Sequence, residues 1–207
     1  MNNLKDPTIF YGVKDWVEEN IMYSALGLAA LNNLSINEEW PDGTIDKSQK
    51  TGMITTALSQ LFEKSVERML KEAHVNVKPK ADSEGDITIN GEPWEIKTSQ
   101  GVNIQGATHS AQKPPRYIMI KYKLDYDKAL SLENNDGLII EYGVWVSESI
   151  QPSWWGGKPT NNNSRTTLRV PSEEYGVIET VIGGIDIQGS SKRKKNLKYC
   201  TLINEVV

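Results

Sequence analysis

The sequence is short of the residues that most metal cages and disulfide scaffolds need. Its single cysteine, Cys200, excludes an internal disulfide and any cysteine-rich zinc site. Two histidines, His74 and His109, are too few for most histidine-based metal centres. Both scarcities point to a reducing, cytoplasmic setting. No apolar run approaches the roughly 20 residues of a membrane span, so no membrane association is expected. The start, Met1 to Asp6, has neither the basic head nor the apolar core of a signal peptide. Excess positive charge is missing too. The 23 Lys and Arg are outnumbered by 27 Asp and Glu, and the net charge of −4 argues against a protein that coats nucleic acid nonspecifically. A DNA enzyme stays open, because acids gathered at a metal site offset bases lining a groove.

What is present is the composition of a soluble globular protein, 38% hydrophobic and 24% charged. A length of 207 residues suits one domain and would cramp two. Residues 12–32 read as a helix, with Val13, Trp16, Val17, Ile21 and Ala25 at helical spacing and a stop at Asn32-Asn33. Pro41-Asp42-Gly43 marks a turn in the polar stretch that follows. A second helix is expected over 51–73. Leu58, Leu61, Phe62, Met69 and Ala73 gather on one side of it, Glu63 borders that stripe, and Glu67 points nearly opposite.

After Ala73 the pattern turns to β-structure. Val75 and Val77 alternate, Asp86–Ile89 follows Gly85, and Asn90-Gly91 is a two-residue hairpin signal joining it to Pro93–Ser99. Further strands are expected over 117–122, apolar enough to be central, and over 137–147. Residues 151–169, with Trp154-Trp155-Gly156-Gly157 near their start, read as a long loop or a weak hairpin. No internal repeat or linker divides the chain.

The chemistry concentrates in the hairpin. Glu95 and Lys97 stand two apart on one strand and so share a face. A tight Asn90-Gly91 turn brings Asp86 opposite or diagonal to Glu95. Two carboxylates and an ammonium then converge on one small volume. Carboxylate oxygens are what Mg²⁺ selects. A metal there neutralises a scissile phosphate and acidifies a water, while an adjacent ammonium positions that water or stabilises the developing charge. An acid-x-Lys triplet alone is weak evidence; following a hairpin with an aspartate at the right distance makes it stronger. The plain alternative is a hairpin with a surface ion pair.

Asp86 followed by Glu95-Ile96-Lys97 across a hairpin resembles the PD-(D/E)xK nuclease core, found in type II restriction endonucleases, over roughly residues 51–123. Gly85 stands where the motif's name has proline. The resemblance implies a restriction-endonuclease-like α/β fold, a mixed central sheet flanked by helices, in a single domain. It implies Mg²⁺ held by Asp86, Glu95 and the Ile96 carbonyl, Lys97 organising the attacking water, and a further carboxylate from the preceding helix, for which Glu63 matches best. It also implies site-specific cleavage of double-stranded DNA by a homodimer, with recognition and dimerisation elements in 1–50 and 150–207. The helix over 12–32 is a candidate dimer element.

Weaker signals surround the motif. Ser99, Asn103, Gln105, His109 and Ser110 lie in a small-polar segment that suits DNA contact or an ordinary loop. Lys113 and Arg116 suit phosphates or a solvated charge pair. Asn162 and Arg165 carry groups that read adenine and guanine, or belong to a polar loop. Trp154 and Trp155 stack on bases or pin a loop to the core. The basic cluster at 192–198 suits DNA or solvent. Three rival readings stand beside the restriction enzyme: a junction-resolving or repair nuclease of the same fold, a DNA-binding module with a vestigial site, and a carbohydrate-binding domain, which the two long helices disfavour.

Overall fold

The structure is a computed structural model and describes residues 2–21, 47–79, 85–100, 103–107, 115–125, 137–156, 165–183, 185 and 187. It begins with a 3-10 turn, Asn2–Lys5, and helix α1 over residues 7–21. The helix starts five residues before position 12, where periodicity placed it. The local cause is Asp6-Pro7. Asp6 Oδ1 accepts from the Thr8 N–H at 2.9 Å and from its hydroxyl at 2.7 Å. Proline at the first helical position needs no donor there and comes with a helical φ. The expected stop at 32–33 and the Ala/Leu-rich part of the 12–32 helix lie outside the described residues.

Helix α2, Lys47–Glu72, begins four residues ahead of expectation. It ends in a Schellman cap: His74, at φ 57°, donates to the Lys71 carbonyl at 3.0 Å, and Val75 donates to the Leu70 carbonyl at 2.9 Å. Of the expected stripe Leu58 and Phe62 are buried, while Leu61, Met69 and Ala73 are only partly so; Val66 and Leu70, outside the expected stripe, are buried beside them. Ser65, also buried, donates its hydroxyl to the Val13 carbonyl of α1 at 3.1 Å.

Strands β1 (Val77–Pro79), β2 (Ile87–Ile89), β3 (Glu92–Ser99), β5 (Tyr117–Leu124), β6 (Ile139–Ser147) and β9 (Glu179–Ile182) form a six-stranded mixed sheet in the order β1-β2-β3-β5-β6-β9. The β3–β5 pair is parallel and the other pairs are antiparallel. Residues 151–169, expected as a loop or weak hairpin, contain a 3-10 turn (Pro152–Trp154) and two strands, β7 (Trp155–Gly156) and β8 (Arg165–Leu168). With β4 (Gln105–Ala107) these build a second, three-stranded sheet in the order β4-β8-β7.

Each face of the large sheet buries its own core. On one face Ile96, Ile118, Ile120, Tyr122, Val144 and Val146 pack with Phe10, Val13 and Val17 of α1 and with the α2 stripe. The Phe62 ring lies 4.6 Å from Tyr122 and 6.4 Å from Tyr142. On the other face Tyr117, Met119 and Trp145 pack with Ile104, Trp154, Trp155 and Leu168. A strand sandwiched between two cores is apolar on both faces where they cover it, as β5 is over residues 117–120, which is why it reads as central. The apolar residues of α1 are spent on this chain's own core. The Ala/Leu surface on which the dimer contact is expected lies outside the described residues. No helix among the described residues is long and apolar enough to cross a membrane.

Candidate active site

The site is made by a change of partner along β3. Its first half, Glu92 to Trp94, pairs antiparallel with β2; its second half, Glu95 to Ser99, pairs parallel with β5. The turn between β2 and β3 has positive φ at both central residues, 53° at Asn90 and 87° at Gly91. That is the twist-matched hairpin the Asn-Gly pair predicts. It fixes the register Ile87↔Trp94, and the Asp86 N–H donates to the Trp94 carbonyl at 2.8 Å. Asp86 therefore stands level with Glu95, where β2 pairing ends.

Beyond Trp94 the Asp86 side chain takes over the work of the departed strand. Its Oδ2 accepts the Ile96 N–H at 2.8 Å. Within a strand, a residue's N–H and C=O point to the same edge, so the Ile96 carbonyl opens toward this edge as well. Gly85 explains the departure from proline in the motif's name. Its φ of 151° is closed to proline, whose ring holds φ near −65°, and an added Cβ would lie 2.9 Å from the Trp94 carbonyl oxygen.

Three oxygen sources converge here on one cation. The Lys97 ammonium pairs with Glu95 Oε2, lies 3.7 Å from Asp86 Oδ2 and donates to the Ile96 carbonyl at 3.4 Å. The Glu95 side chain is 1% exposed, while those of Asp86 and Lys97 are about a fifth exposed, at 20% and 19%. The glutamate thus forms the floor and the other two form the mouth.

Helix α2 adds a third carboxylate. Ser59 accepts a hydrogen bond from the Thr98 hydroxyl at 3.0 Å, tying α2 to β3. Glu63, four residues on and hence on the same side of the helix, is carried to the cluster. Its pKa is pushed up from 4.5 to about 7, first by burial and then by the negative charge of Asp86, with Glu95 adding to it and Lys97 opposing. Glu67 behaves oppositely, as its place on the wheel predicts: it pairs with Lys71 at 2.5 Å and Lys64 at 3.5 Å, and those lysines hold its pKa down against partial burial.

Among the described residues no group of three or more His, Cys, Asp or Glu side chains is set closely enough to hold a metal ion by itself. The donors present are two carboxylates and a backbone carbonyl. That set fits Mg²⁺, which binds through one or two carboxylates and keeps several waters. It does not fit a closed structural cage of the zinc type.

The weaker expectations divide. Ser99 is buried and its hydroxyl donates to the Asn103 carbonyl at 2.8 Å, so it closes its own loop and is corrected from DNA contact to local structure. Gln105 is exposed on β4, and Asn103 is half-buried. Arg116 pairs with Glu92 at 3.0 Å, the charge-pair alternative. Trp154 and Trp155 are buried in the second core, which excludes base stacking in this conformation and corrects that alternative. His109, Ser110, Lys113, Asn162 and the 192–198 cluster lie outside the described residues. Arg165 belongs to β8, with its side chain outside the described part. Sequence reasoning treated Tyr117 only as core. In the structure it pairs in register with Glu95, and burial followed by the Glu95 charge pushes its hydroxyl pKa up.

Comparison with known proteins finds no family model and no curated relative that matches the chain.

Proposed function

We propose that this protein is a Mg²⁺-dependent endonuclease of the restriction-endonuclease-like class, cutting double-stranded DNA at a specific site. One observation carries the reading: Asp86, Glu95 and the Ile96 carbonyl direct oxygen at a single point, and a cation, the Lys97 ammonium, already sits there. The order α2, β1, β2, β3, β5, with the acidic helix leading into an antiparallel hairpin and then a parallel strand, supports the same class.

In this proposal Asp86 and Glu95 hold Mg²⁺ with the Ile96 carbonyl. The bound ion supplies charge neutralisation at a phosphate and a water of lowered pKa. Asp86 is held by the Ile96 amide and Glu95 by burial, so both carboxylates are oriented before any ligand arrives. Lys97, on a flexible stem at the site's mouth, is free to exchange its carboxylate contacts for a water or a phosphate oxygen. Glu63, whose pKa is raised to about 7 by burial and by Asp86 before a metal arrives, is a further carboxylate at the rim of the cluster. A homodimer matches a palindromic site through shared two-fold symmetry.

Digestion of phage and plasmid DNA by the purified protein, with Mg²⁺ or with EDTA, tests the reading. Discrete bands that vanish in EDTA are expected. A smear would replace site-specific with nonspecific cleavage. Intact linear, supercoiled and branched DNA at every Mg²⁺ concentration would overturn the nuclease assignment. A monomeric mass by light scattering, with and without DNA, would remove the dimer.

A further inference from the structure

We infer that Tyr117 is a positioning residue for Glu95, with its phenol held against the carboxylate floor by Trp155 of the small sheet. The inference rests on the metal-nuclease reading above. Glu95 and Tyr117 are register partners across the parallel β3–β5 pair, and the Glu95 N–H donates to the Arg116 carbonyl at 2.9 Å, locking the two strands at this level. Register partners on adjacent strands project to the same face, so the phenol and the carboxylate lie side by side. Both residues are fully buried, at 1% and 0% exposure.

Trp155 covers this pair from β7. Its ring centroid is 5.5 Å from that of Tyr117, tilted by 40°, so the indole packs on the phenol ring. A phenol both donates and accepts, and this one lies on the same face of the sheet as the Glu95 carboxylate. Burial first, and then the charges of Glu95 and Asp86, keep the hydroxyl protonated. A neutral donor differs from Lys97 in one decisive respect. It steadies the carboxylates without bringing a positive charge that competes with a metal for the same oxygens. Groups that orient metal-binding carboxylates in this way commonly account for about ten- to a hundredfold in metal affinity.

The test is a calorimetric titration of Mn²⁺, a Mg²⁺ substitute, into the wild type, Tyr117→Phe, Trp155→Phe and the double variant. Circular dichroism checks that each is folded. Phenylalanine keeps the Tyr117 ring and leaves a smaller aromatic ring in place of Trp155. Expected is about tenfold weaker Mn²⁺ binding for Tyr117→Phe and about threefold for Trp155→Phe, whose smaller ring holds the phenol less closely. The double variant should be no weaker than Tyr117→Phe, since Trp155 acts through the phenol. Cleavage should lose kcat at unchanged KM for DNA. Wild-type Mn²⁺ affinity in Tyr117→Phe overturns the inference and leaves the nuclease reading intact. Absence of Mn²⁺ uptake by the wild type overturns the metal site itself, and the inference with it. Should Tyr117→Phe fail to fold, wild-type affinity in Trp155→Phe overturns the inference in its place.

Discussion

Glu18 and Glu95 are both buried glutamates, and each pairs with a lysine near it in sequence. Their surroundings differ in sign. Glu18, on α1, pairs with Lys14 at 2.9 Å, and its other oxygen accepts the Ile139 N–H at the start of β6 at 2.6 Å. A cation and an amide match its charge, and the result is a helix pinned to a strand. Glu95 shares its cation with Asp86 and lies within electrostatic reach of Glu63, so three acids gather around one lysine. Burial of an acid is common to structure and function. Burial of several acids around too little positive charge is costly to fold, and it is what marks this cluster as the candidate site.

That contrast is sharpest under truncation. Glu95→Ala or Asp86→Ala should cut Mg²⁺-dependent cleavage by about a thousandfold or more, because several kcal/mol of charge stabilisation go with the metal. Thermal melting in EDTA should hardly fall, since like-charge repulsion is relieved as a hydrogen bond is lost. Persisting cleavage in either variant would dissolve the distinction from Glu18. Lys97→Met should lower cleavage by about a hundredfold while Mn²⁺ binding in calorimetry holds or tightens, because the competing ammonium is gone. Weaker Mn²⁺ binding would mean that the lysine helps hold the metal.

Glu18→Ala should do the reverse of Glu95→Ala. It leaves the Ile139 amide and the Lys14 charge without their acceptor, at about 2–3 kcal/mol, read as a lower melting temperature with the cleavage of the folded fraction unchanged. Glu63→Gln has the smallest effect, and its sign depends on pH. The raised pKa means that ionising Glu63 costs folding energy, so stability from this group is present below about pH 4.5 and is lost as pH rises toward about 7. In EDTA the glutamine variant should match the wild type near pH 4.5. At pH 8 it should be more stable by about 1 kcal/mol, a figure discounted for the group's partial exposure. Equal stability at both pH values would place Glu63 outside the cluster's field.

Much of this architecture was legible because it depends on neighbours in sequence. The Asn90-Gly91 turn sets the hairpin register, and with it the level of Asp86 and Glu95. Helical phase alone separated Glu63, at the cluster, from Glu67, among lysines. The start of α1 was written in Asp6-Pro7 and was missed by following hydrophobic spacing instead of capping. The small sheet was not legible. Its strands are two to four residues long, too short for a periodic signal.

By itself, then, the sequence determined the α/β alternation and the hairpin, because each follows from a period or a turn within a few dozen residues; the four side chains of the candidate site stood out chiefly through the motif they resemble. The tertiary structure alone decided three things. Position 85 takes glycine because its φ of 151° and the Trp94 carbonyl beside it leave no place for a Cβ. Trp154 and Trp155 are core residues because the second face of the sheet needed covering. Tyr117 stands beside Glu95 because a parallel strand, 22 residues further along the chain, arrives in that register. Such contacts join segments with no local pattern in common, and only the packing of two cores against one sheet brings them together.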